Sequence, residues 1–154
     1  MKLSTTIRYG TRLMLDMAEQ EGKGPIRIKT IAKRQGISEK YLEKIVRLLR
    51  KAGLVDGLRG PGGGYMLAVP AEKITLADIL EAVQGKVELC PCLNEPEQCE
   101  KHDDCKTRKV WNDINQTIWT KLEGITLVDL KDSACPSEEE LGSSSHWSMK
   151  GIKV

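Results

Sequence analysis

The sequence predicts a mainly α fold of the α+β kind: a winged helix-turn-helix domain followed by a long helix that pairs with its own copy. Three observations predict it. Two amphipathic helical segments meet at Gly36, and the second has a basic outer surface. Two short strand-like runs then flank the glycine-rich stretch Gly57-Leu-Arg-Gly-Pro-Gly-Gly-Gly64. Nearer the C-terminus, a third helical pattern carries an apolar stripe with two tryptophans, Trp111 and Trp119.

Taken in order, Leu3, Ile7, Met14, Met17 and Ala18 recur at helical spacing, so residues 4–20 read as an amphipathic helix with Ser4 as its N-cap. Gly22-Lys-Gly-Pro25 ends it, and Ile26-Arg-Ile28 has room only for a stub of strand. Thr30-Ile-Ala-Lys-Arg-Gln-Gly36 reads as a two-turn helix that opens at a capping Thr30 and stops at Gly36. Ser38 then caps residues 39–52. These place Leu42, Ile45, Leu49 and Ala52 on one stripe and Lys40, Glu43, Lys44, Arg47, Arg50 and Lys51 opposite. A short helix, a glycine turn and a basic second helix make a helix-turn-helix, whose second helix enters the major groove of DNA. The plainer reading of the same lysines is a solvated helix face.

Gly53 stops that helix, and Leu54-Val-Asp56 and Tyr65-Met-Leu-Ala-Val69 read as strands joined by the glycine stretch into a hairpin wing. Five glycines flank one arginine, Arg59, which suits a backbone that must approach another surface closely. Arg59 at the wing tip is suited to a narrow, negative minor groove, whereas a flexible turn with an exposed arginine is the bland alternative. Thr75-Leu-Ala-Asp78 opens a further helix with a capping-box pattern, carrying Leu76, Ile79, Leu80 and Val83. Residues 107–123 repeat Val110, Trp111, Ile114, Ile118, Trp119 and Leu122 at three- and four-residue spacing, ended by Gly124. Such a stripe needs a partner, and the expected one is a second copy of the chain, an intramolecular core being the alternative. Thr126-Leu-Val-Asp129 starts another short turn, and the Ser, Glu and Gly content beyond Lys131 reads as a disordered tail in which Cys135 is a bystander. The expected organisation is residues 1–85 as the winged domain, 86–106 as a cysteine-rich loop, 107–132 as the dimerisation region and 133–154 as the tail.

The net charge of +2 hides an asymmetry. Residues 1–60 hold fourteen Lys/Arg against six Asp/Glu, leaving ten against sixteen for the remainder. A basic half on an acidic body is the electrostatic footprint of a nucleic-acid binder. There is no run of eighteen apolar residues and no apolar signal core at the N-terminus, so the expectation is a cytoplasmic protein with no membrane partner.

Four of the five cysteines, Cys90, Cys92, Cys99 and Cys105, fall within one sixteen-residue stretch. In a reducing compartment such clustering points to metal or redox ligation rather than disulfides. Thiolates are soft, so the pocket would favour an iron-sulfur cluster, zinc or Cu(I) over magnesium or calcium. No nucleophile–base pair is apparent, and the wing glycines lack the Lys-Ser/Thr of a phosphate loop and precede a strand, so an enzyme is not expected.

The run Gln35-Gly-Ile-Ser38, Tyr41-Leu-Glu43, Leu48-x-Arg50-Lys-x-Gly53-Leu-Val55 and Arg59-Gly-Pro-Gly-Gly-Gly-Tyr65, followed by three spaced cysteines, resembles the iron-sulfur cluster regulator (IscR-like) family of bacterial winged-helix transcription factors. The resemblance spans Met1 to about Asp132. It implies a homodimer on palindromic, double-stranded promoter DNA, with Ser38, Lys40, Tyr41, Glu43 and Lys44 facing the major groove and Arg59 with Gly60 meeting the minor groove. Glu43 matches the position family members use to tell one operator class from another. A carboxylate accepts from cytosine but is repelled by phosphate, so it penalises wrong sequences more than it adds affinity. Lys40, Lys44 and Arg47 would contact phosphates and position the helix.

The same resemblance makes Cys92, Cys99 and Cys105 the cluster ligands. It also exposes a departure: Arg108 stands where the best-known branch has a histidine, and a guanidinium has no lone pair to give. The fourth ligand is left open among Cys90, His102, a residue of the partner's N-terminal helix and an exogenous group, with Cys90 taken first. The cluster expected is 2Fe-2S, with 4Fe-4S the other type considered. The function read from the sequence is therefore a regulator that senses cluster, redox or iron status. Alternatives are a zinc-bound or cluster-free regulator of the same fold responding to a metabolite, and an electron-transfer protein.

Overall fold

The computed structural model describes residues 3–86, 88–93, 99 and 104–133. The expected disordered tail beyond Ser133, Cys135 and the candidate ligand His102 lie outside the described residues. Helix α1 spans Thr5–Glu19, α2 Ile28–Gln35 and α3 Glu39–Lys51; strands β1 (Val55–Leu58) and β2 (Gly64–Leu67) follow, then α4 (Leu76–Gln84), α5 (Arg108–Glu123) and α6 (Leu127–Asp132). Short 3-10 turns occupy Ala71–Lys73 and Pro91–Leu93.

Helix α1 is the spine, with α2, α3, α4 and α6 all packed against it. Its apolar face buries Ile7, Leu13, Met14 and Met17 against Ile31 of α2, Leu42, Ile45 and Leu49 of α3, and Ile79 of α4. Gly10 lets these helices come close. A Cβ there would lie 3.3 Å from Val83 Cγ1 and 3.6 Å from Ile45 Cγ2. Ser4 caps α1, accepting from the Ile7 amide, and its hydroxyl also donates to the Gln84 side-chain oxygen at the far end of α4.

Helix α2 starts earlier than the sequence suggests. Thr30 lies inside its first turn rather than at its cap; the N-cap is Arg27, which makes no side-chain capping bond. The reason is tertiary. Ile26 is pinned to β2 by two backbone bonds of 2.8 Å with Tyr65, and Ile28 is drawn at once into the core. Burying an isoleucine outweighs the ~1 kcal/mol that a threonine cap supplies. The stub of strand is thus the single bridge Ile26↔Tyr65.

The hairpin also reaches further into the glycines than expected. Strands β1 and β2 pair antiparallel as Val55↔Leu67, Asp56↔Met66, Gly57↔Tyr65 and Leu58↔Gly64. The free loop shrinks to residues 59–63. Helix α4 opens with a complete capping box between Thr75 and Asp78, and α6 repeats the device with Thr126 and Asp129. Thr75 and Thr126 bridge each other, and Leu127 is fully buried, so α6 is a helix docked on α1 and the Ala71–Lys73 turn rather than a mere turn. Among the described residues no helix is long and apolar enough to cross a membrane.

Candidate nucleic-acid interface

Helix α3 buries Leu42, Ile45, Val46 and Leu49 and turns Lys40, Glu43, Lys44 and Arg47 outward, all exposed. It is entered through Gly36, whose backbone is left-handed at φ 63°, a conformation that glycine adopts without a Cβ penalty. Ser38 caps the helix: its hydroxyl accepts from the Tyr41 amide at 3.3 Å, and its own O–H stays able to donate. Arg47 curls back, its Nε donating to the Glu43 carbonyl at 3.3 Å. Tyr41 differs from the rest of the expected groove-facing set. It is half-buried, shares a 2.9 Å hydrogen bond with Thr6, and meets the Tyr9 ring edge-on at 5.7 Å. The residue therefore anchors α3 to α1.

In the wing, Arg59 and Gly60 are exposed at the tip, and Gly60 takes φ 109°. The glycines have two distinct reasons to be there. At Gly63 a Cβ would lie 2.3 Å from the Leu58 carbonyl oxygen, and at Gly64 2.6 Å from the Ile26 carbonyl, so these two admit the chain's own backbone. Gly62 has open space around it. The close approach that the glycine content implies is, at Gly63 and Gly64, to the chain's own backbone.

Arg27 is a residue that sequence spacing missed. Its guanidinium donates to the Pro61 carbonyl, tying the start of α2 to the wing loop thirty-four positions away. Together with Lys29, Arg50 and Arg59 it lines a cleft of about 450 Å³ between the wing and α3, in which Glu39 is the one acid. Behind α3, the buried Asp16 accepts from Arg34 Nε and from Gln35 Nε2, each at 2.9 Å. Arg12 in turn donates to the Gln35 side chain at 3.0 Å and to its carbonyl at 2.6 Å. This network fixes the helix-turn-helix corner.

The cysteine segment joins α4 to α5. Cys90, Cys92, Cys99 and Cys105 are half-buried free thiols. The segment is docked on α5 by the Leu89 amide, which donates to Asn115 Oδ1 at 3.3 Å. Cys105 Sγ lies 3.4 Å from the Thr107 hydroxyl; that contact, with the Thr107 and Arg108 amides, holds its thiol below the usual range and favours the thiolate. Among the described residues no three His, Cys, Asp or Glu side chains converge on one point. The donor set itself, four unpaired thiols, fits a soft metal or an iron-sulfur cluster. Helix α5 buries none of its residues, and Val110, Trp111 and Ile114 of its stripe are 55%, 45% and 40% exposed.

The family model for Rrf2, described as an iron-dependent transcriptional regulator, matches residues 3–133. The chain is 44% identical over 138 residues to the protein rrf2 of Nitratidesulfovibrio vulgaris, covering 88% of this chain and 92% of the relative. It is similar in structure to IscR of T. potens, at 36% identity and TM-score 0.70, with 88% of this chain and 94% of that one covered. The global cysteine regulator CymR of B. subtilis matches at 36% identity and TM-score 0.71, covering 88% of this chain and 99% of that one.

Proposed function

The chain belongs to the Rrf2 family of DNA-binding transcriptional regulators, IscR- and CymR-like rather than enzymatic, and from that premise we propose that it works in the cytoplasm as a homodimer on promoter DNA, its operator choice set by an iron-sulfur cluster. Ser38, Lys40, Tyr41, Glu43 and Lys44 would meet the major groove, Tyr41 from its seat on α1, and Lys40, Lys44 and Arg47 would contact the phosphates beside it. Arg59 and Gly60 would enter the minor groove. Cys92, Cys99 and Cys105 would hold the cluster, with Cys90 the first candidate for a fourth ligand and 2Fe-2S the type favoured over 4Fe-4S. When bound, such a cluster supplies a centre that is lost to oxidant or iron starvation.

The observation that carries this reading is the position of the cysteine segment between α4, packed into the DNA-binding core, and α5, whose stripe is exposed and would form the dimer contact. A cluster bound in that segment would alter the tilt of two recognition helices, and half-sites on one duplex tolerate little change in their spacing. Coupling of about 1–3 kcal/mol, or about 5- to 150-fold in occupancy, is usual for such linkage.

The test is an anaerobic absorption and EPR spectrum of fresh protein, with iron, sulfide and zinc assayed on the same sample and operator affinity measured before and after chelation. Matched iron and sulfide, with affinity altered on their removal, is the expected result. Stoichiometric zinc in a colourless protein would make the segment a structural clasp. A second reading, a cluster-free regulator responding to a metabolite, is favoured by the similarity to CymR and by Arg108, which stands three residues after Cys105 and has no lone pair to give a metal. Protein lacking both metals, yet active in binding DNA, would select it.

A further inference from the structure

We propose that the cleft between wing and recognition helix grips the DNA strand running between the two grooves, and that Arg27 and Lys29 are its phosphate-binding residues. This deepens the proposed function and rests on it. If α3 occupies the major groove while the Arg59 wing occupies the neighbouring minor groove, the sugar-phosphate strand dividing those grooves has to pass between helix and wing. The cleft lies there.

Its chemistry suits a phosphodiester. Arg27, Lys29, Arg50 and Arg59 face it against a single carboxylate, Glu39. Among the described residues the one ion pair is Arg34–Asp16, and neither residue lines the cleft, so no carboxylate is paired with the cleft cations. The first turn of α2 lines the same space without a side-chain cap; the Thr30 and Ile31 amides bond the Arg27 carbonyl, and the Ile28 and Lys29 amides have no capping side chain. Gly57 and Gly64 of the wing strands also line the cleft. A Cβ on Gly57 would lie 3.4 Å from the Arg50 guanidinium carbon, so that guanidinium rests on the root of the wing.

Arg27 has two duties. One N–H holds the Pro61 carbonyl and so braces the loop that presents Arg59; the side chain also lines the cleft, with further N–H groups to offer. Phosphate contacts of this kind position without reading bases, so their loss should weaken all sequences alike.

The experiment measures affinity of the full chain for its operator and for an unrelated duplex between about 50 and 200 mM salt, with wild type and the double variant Arg27→Gln/Lys29→Gln. Each lost contact lowers the salt slope by about 0.9, so the wild type should lose roughly twelvefold more affinity than the variant over that range, on both duplexes. An unchanged slope, or a loss confined to the operator, overturns the proposal. The single variant Lys29→Gln, which leaves the wing brace intact, should still lower the slope by about 0.9; an unaltered slope there also overturns it. Wild-type protein that binds no duplex in a salt-dependent way would instead overturn the DNA-binding reading on which the proposal stands.

Discussion

The hydroxyls of Tyr41 and Thr6 lie 2.9 Å apart and share a hydrogen bond, so the first turn of the recognition helix is fastened to the first turn of α1. The Tyr9 ring completes the seat by meeting Tyr41 edge-on, with 87° between the ring planes. Tyr41→Phe keeps the packing and removes the bond. It is expected to cost about 0.5–1.5 kcal/mol of stability in a denaturant melt. An unchanged midpoint would show that the hydroxyl serves the ligand alone.

The wing glycines separate into required and permissive positions. Gly64→Ala forces a Cβ to 2.6 Å from the Ile26 backbone, which has no side-chain freedom to yield, whereas Gly62→Ala meets nothing within 4 Å. The first should lower stability by about 1–3 kcal/mol, as overpacking does, and weaken operator binding. The second should leave the melt unmoved. Equal behaviour of the two variants would contradict the steric account.

Glu43 is exposed on α3, three residues along from Lys40 and next to Lys44. Replacing it with alanine removes a group that phosphate repels and cytosine welcomes. Binding to a library of duplexes should broaden in sequence preference more than it weakens. A uniform loss on every sequence would rule out discrimination as its role.

Trp111 and Ile114 expose apolar surface on a helix that buries no residue of its own. The double substitution Trp111→Ser/Ile114→Ser is expected to convert a sedimenting dimer into monomer while the monomer's helical signal persists. Wild-type protein that sediments as a monomer at all concentrations would remove homodimerisation from the mechanism.

Asp16 is 2% exposed and depends on two donors, Arg34 and Gln35. The hydrogen bond from Arg34 to the Asp16 carboxylate raises the pKa of that guanidinium above its ordinary value. Arg34→Met leaves a buried carboxylate with one donor. The expected loss is about 2 kcal/mol, below that of a fully buried pair because Arg34 is partly exposed. A melt within about 0.5 kcal/mol of wild type would mean that Gln35 and water suffice.

Local chemistry was legible where it was self-contained. Ser4, Ser38 and the Thr75/Asp78 box could be read as caps because donor and acceptor sit three residues apart on one chain segment. Thr30 misled for the opposite reason: its capping preference is real but small, and the distant Tyr65 bridge at Ile26 set the helix start instead. Tyr41, assigned to the major groove by resemblance alone, is also held on α1 through Thr6 and Tyr9, which residue spacing does not show. Arg27 carried no signal at all, since its partner Pro61 lies in another element.

By itself the sequence determined the order of elements, the basic and acidic halves, and the soft donors available to a metal, because periodicity, charge and side-chain chemistry are properties of residues and of their near neighbours. Only the tertiary structure decided which glycines the wing needs for its own packing, which cations share one cleft, and how α3 is held on α1. Those depend on contacts between segments far apart in the chain, where the approach of one backbone to another, rather than the preference of any residue, sets the outcome.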